Sequence, residues 1–73
     1  MNVHDEALRQ VERLITEGKK RIARQREIVA NAFQEGRDTE VPVSMLRAFE
    51  ASLHAFERHH QFILDRQKKQ KRR

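Results

Sequence analysis

The stretch Gln34-Glu35-Gly36-Arg37-Asp38-Thr39-Glu40-Val41-Pro42 decides the fold. Gly36 suits the left-handed position just past the end of a helix, where a Cβ is penalised. Asp38 and Thr39, two and three residues on, can each cap the start of another helix. Pro42 then fits a first turn, where its missing N–H would have no helical partner anyway. A stop and a start so close together make the flanking helices antiparallel neighbours. The spacing predicts a first helix over about 3–34, a connection over about 35–41 and a second helix over about 42–69. Asn2 is placed to cap the first helix, with Asp5 and Glu6 in its first turn, where acids favour the helix dipole.

Moving outward from the turn, the apolar residues keep a heptad spacing. Leu8, Ile15, Ile22 and Val29 recur every seven residues, and Val11, Gly18, Gln25 and Ala32 follow each of them by three. This is a coiled-coil-like seam, weakened at Gly18 and Gln25. Leu14, Ile28 and Phe33 lie beside it and widen it. In the second half Leu46, Leu53 and His60 share one heptad position, and Phe49, Phe56 and Ile63 share the other. Met45, Phe62 and Leu64 add apolar surface at the edges, and Val43 is expected to pack near the turn. The fold class is therefore all-α: an antiparallel two-helix hairpin forming a single domain over residues 1–73.

Two helices can cover only a narrow seam between them, and these stripes are broader than that. The expected core and dimer seam is Leu8, Val11, Leu14, Ile15, Ile22, Ile28, Val29 and Phe33 on one helix and Leu46, Phe49, Leu53, Phe56 and Ile63 on the other. The commonest way to cover the excess is a two-fold homodimer, here a four-helix bundle. An obligate protein partner of different sequence is the competing solution. Gly18 costs a helix interior about 1 kcal/mol relative to Ala. It is expected opposite Phe56 or His60, where it either permits close approach of the backbones or is tolerated without a role.

Composition narrows the class further. The chain has no cysteine, which removes disulfides and thiolate metal sites. No apolar run exceeds three residues, Phe62-Ile63-Leu64 being one, whereas a membrane span needs about 20. The first residues lack the basic and apolar regions of a secretory signal, and a cytoplasmic location is the expectation. Ser44 and Ser52 lack a nucleophile context, and no Gly-rich phosphate loop is present, so no enzyme activity and no cofactor are expected.

The net charge of +5 is unevenly spread. The tail, Arg66 to Arg73, holds six basic residues and no acid; Lys19 to Arg26 holds five in eight. These segments can contact phosphate, with Lys19, Lys20, Arg24, Lys68, Lys69, Lys71, Arg72 and Arg73 as the candidates. They can equally be a solvated helix face and a soluble tail, with Glu17 and Arg21 paired at i,i+4. No helix-turn-helix, ribbon or zinc-finger pattern accompanies them. His54, His59 and His60 crowd the second helix, and Glu57 with His60 forms a Glu-x-x-His pair of the kind used in di-metal bundles. No carboxylate on the first helix falls on the seam to complete such a site, and no metal is assigned.

Glu17-Gly18, Arg21-Ile22-Ala23-Arg24-Gln25-Arg26-Glu27, Gly36-Arg37-Asp38-Thr39 and Phe49-Glu50-Ala51-Ser52-Leu53 together resemble small uncharacterised bacterial helical-hairpin proteins. The resemblance covers most of residues 10–65 and implies a helical pair, with no activity and no functional residue attached. The function expected from the sequence is a small non-enzymatic protein-interaction or regulatory module. The alternative is a nucleic-acid-associated protein that uses the two basic segments.

Overall fold

The computed structural model describes residues 3–71, with side chains described for 6–69. It has two helices, α1 (Val3–Gln34) and α2 (Glu40–Lys71), packed against each other as an antiparallel hairpin. Among the described residues there is no strand. Asn2 and the side chain of Asp5, expected at the start of α1, lie outside the described residues.

The turn closes through backbone hydrogen bonds at both ends. Gly36 has φ of 70°. Its N–H donates to the Phe33 carbonyl at 3.1 Å, and the Arg37 N–H donates to the Ala32 carbonyl at 2.8 Å. Those two bonds are the Schellman pattern, which satisfies carbonyls that a helix end leaves unpaired. α2 starts just as sharply. The Asp38 carboxylate accepts the Glu40 N–H at 2.9 Å, and the Thr39 carbonyl accepts the Val43 N–H at 2.9 Å. Asp38 therefore supplies the capping side chain, while Thr39 supplies the first helical carbonyl.

The connection is shorter than the sequence reading placed it. It ends at Thr39, so Val41 and Pro42 already belong to the first turn of α2. Packing between the helices sets their register. A Cβ built on Gly18 would meet Leu53 Cδ1 at 3.6 Å, so Gly18 faces Leu53 and not Phe56 or His60 as expected. That distance is ordinary van der Waals contact. Close approach of α2 therefore does not require a glycine there.

The core is thin. Among the described residues, Val11, Ile22, Ala32 and Ile63 are its buried apolar residues, and Gln25 is its buried polar one. Leu8, Ile15, Val29, Leu46, Phe49, Leu53 and Phe56 are only half-buried. The hairpin measures 60 × 18 × 12 Å and has a radius of gyration of 16.9 Å. A compact chain of this length would have a radius of gyration of about 11 Å. The fold is a rod whose two helices expose most of their surface.

Candidate functional site

The two long flanks of the hairpin differ in chemistry. On one, Arg26 pairs with Glu50 at 3.5 Å, and His60 Nε2 meets Glu12 Oε2 at 3.2 Å. Lys19 and His54 line the same groove as Arg26 and Glu50. Exposed pairs of this kind are worth at most about 1 kcal/mol each. This flank is a solvated surface laced with charge.

The opposite flank is apolar. Leu14, Glu17, Gly18 and Arg21 of α1 line a shallow groove with Ala48, Phe49, Ser52, Leu53 and Phe56 of α2. Towards the open end the groove continues past Ala7, Leu14, Phe56 and His59. Seven-residue spacing carries the same face of α1 from Arg21 to Ile28, and the same face of α2 from Ser52 back to Met45. Phe62 stacks on His59 with ring centroids 6.3 Å apart and so extends the face at the open end. Leu14, Ile28, Met45 and Phe62 are 36, 43, 45 and 55% exposed. With Val41, 67% exposed and seven residues before Ala48, five large apolar side chains are thus left wet along one side of the rod.

The cations on this flank lie against rings. The Arg21 guanidinium sits 5.7 Å from the Phe49 ring centroid, and that of Arg66 sits 5.7 Å from that of Phe62. Such contacts leave the aliphatic stems along the apolar surface.

All but one of the sequence-derived seam residues therefore divide into three groups. Val11, Ile22 and Ile63 are in the core; Leu8, Ile15, Val29, Leu46, Phe49, Leu53 and Phe56 border it; Leu14 and Ile28 face outwards on the apolar flank. Phe33 belongs to neither the core nor that flank. It is 76% exposed and lies seven residues from Arg26, on the charged side near the turn. The sequence reading did not place Val41, Ala48, Ser52 or Ala55 on this face. Val41, Ala48, Ala55 and Phe62 recur every seven residues, and that spacing is the signal that marks this second stripe on α2.

The candidate phosphate contacts form no single patch. Lys19, Lys20, Arg24, Lys68 and Lys69 are exposed. Because Gly18 faces Leu53, Lys68 lies a further fifteen residues along α2. At 1.5 Å per residue the two groups are about 22 Å apart. Arg72, Arg73 and the side chain of Lys71 lie outside the described residues. His60 uses its Nε2 on Glu12, and Glu57 is exposed. Among the described residues no three His, Asp or Glu side chains gather where they could hold a metal ion. Nor is any helix among them long and apolar enough to cross a membrane.

No family model, curated protein or solved structure matches the chain. The reading of the site therefore rests on its geometry.

Proposed function

We propose that the chain is a non-enzymatic protein-interaction module whose apolar flank holds a second copy of itself, giving a four-helix bundle. The observation that carries this reading is the contrast between the flanks. One carries the Arg26–Glu50 and His60–Glu12 pairs, with Phe33 as its exposed apolar residue near the turn, while the other leaves Leu14, Ile28, Met45 and Phe62 exposed in a line.

The dimensions support it. The broad side of the rod is 60 × 18 Å, long enough for a second hairpin to lie along it. The core supports it as well. Among the described residues no large side chain is more than 98% buried, so the hairpin has little apolar burial of its own to offset its ordering entropy. Covering the flank in a dimer would bury these wet side chains, each worth about 1.5–3 kcal/mol when fully buried.

Light scattering on the wild type and on two variants tests this. Met45→Glu places a charge on the apolar flank and is expected to weaken association at least tenfold. Phe33→Glu changes a more exposed residue on the other side and is expected to leave association unchanged. A Met45→Glu protein that associates like the wild type would overturn the proposal.

A further inference from the structure

We infer that the two hairpins pack turn to tail, related by a two-fold axis that crosses the helices at the level of Gly18 and Leu53. This rests on the reading that a second copy occupies the apolar flank, and it commits that copy to one of the two closed arrangements open to face-to-face hairpins. In the other arrangement the axis runs along the rod and both turns lie at the same end.

The order of residue sizes along α2 favours the turn-to-tail form. Met45, Ala48, Ser52, Ala55, His59 and Phe62 follow one another at intervals of 3, 4, 3, 4 and 3, which read the same from either end. An axis between Ser52 and Ala55 therefore sets the stripe against its own reverse. Met45 falls opposite Phe62 of the second copy, Ala48 opposite His59, and Ser52 opposite Ala55. Small residues lie nearest the axis and large ones at the ends, so the helices can approach closely at the centre while side chains fill the gap further out.

α1 agrees with the same axis. The contact between Gly18 and Leu53 puts that axis close to Gly18 on α1. Ile28 and Ala7 then lie at equal distances on either side of it, so Ile28 meets Ala7 of the second copy, a large residue against a small one. Arg21 and Leu14 are related in the same way. Leu14 then lies along the Arg21 stem, whose guanidinium is held over Phe49.

The charges of the ends favour it too. The turn carries Glu35, Asp38 and Glu40 against Arg37, while the end of α2 carries Arg66, Lys68 and Lys69 against Asp65. Turn-to-tail packing brings each basic end beside the acidic turn of the other copy. The alternative gathers both basic ends at one end of the bundle and both acidic turns at the other, which raises the repulsion within each end.

The chain has no cysteine, so a single Arg37→Cys variant takes one spin label per protomer. Arg37 is in the connection, and its 2.7 Å ion pair with Glu35 is exposed, so the fold does not depend on its side chain. Pulsed dipolar spectroscopy is expected to give an inter-label distance of about 50 Å, twice the rise from Arg37 to the level of Gly18. A distance under about 25 Å, which neighbouring turns at helix spacings of 8–10 Å would give, would overturn the arrangement and leave the dimer standing. A sample with no intermolecular dipolar signal would instead remove the dimer on which the inference rests.

Discussion

Gln25 reaches across the hairpin and donates its side-chain amide to the carbonyl oxygen of Pro42 at 2.9 Å. It is the buried polar side chain of the core, 4% exposed. The Pro42 carbonyl has two lone pairs and can serve both its own helix and this donor. The bond ties mid-α1 to the first turn of α2, so it fixes the helices lengthwise as well as holding them together. Losing this bond would leave a buried amide without a partner, at a cost of about 1–3 kcal/mol. Single buried polar groups set the register of coiled coils in this way.

Replacing that residue measures the effect. Gln25→Ala loses the hydrogen bond and leaves a gap beside Ile22. Chemical denaturation is expected to show a loss of about 1–3 kcal/mol. Unchanged stability would mean that the bond contributes nothing to the register.

The two glycines are expected to respond with opposite signs. Gly36 holds φ of 70°, which costs a residue with a Cβ about 1–2 kcal/mol, so Gly36→Ala should lower stability by that amount. Gly18 is helical, and a Cβ there would meet Leu53 at no closer than 3.6 Å. Gly18→Ala is therefore expected to stabilise the hairpin by up to about 1 kcal/mol through helix propensity. Thermal melts of both variants check the pair. Destabilisation by Gly18→Ala would show that something beyond Leu53 presses on that position.

Asp38 is the side chain that caps α2. Asp38→Ala removes an acceptor from the Glu40 N–H and should cost about 1 kcal/mol, with Asp38→Asn recovering most of it. Denaturation midpoints of the two variants decide this. Equal losses in both would assign the effect to charge and not to the cap.

Folding coupled to pairing makes stability depend on concentration. The melting temperature is expected to rise as the protein is concentrated from micromolar to millimolar. A melting temperature independent of concentration would separate folding from association.

Much of the fold was legible because its signals are local. Gly36 and Asp38 act through their own backbone and that of close neighbours, so the turn can be read from residue types alone. The heptad spacing of Ile22, Leu46 and Leu53 likewise gives the helices and their inward faces. Register was less accessible. It is set by packing between the helices, which places Gly18 against Leu53, three residues short of Phe56 and seven short of His60. Gln25 read as a flaw in an apolar seam, because its acceptor lies seventeen residues away on the other helix. Phe33 looked like part of the seam for the opposite reason: it is apolar, but its angular position places it on the charged flank. The apolar flank itself needs both helices to define it. Met45 and Ile28 form one surface only once the antiparallel pairing is known.

The central claim is that this flank is an interface between two copies. Sedimentation equilibrium on the unmodified chain at micromolar concentration tests it most directly. The account predicts a mass of twice the 8.8 kDa chain. A single species at 8.8 kDa that still unfolds cooperatively would contradict it.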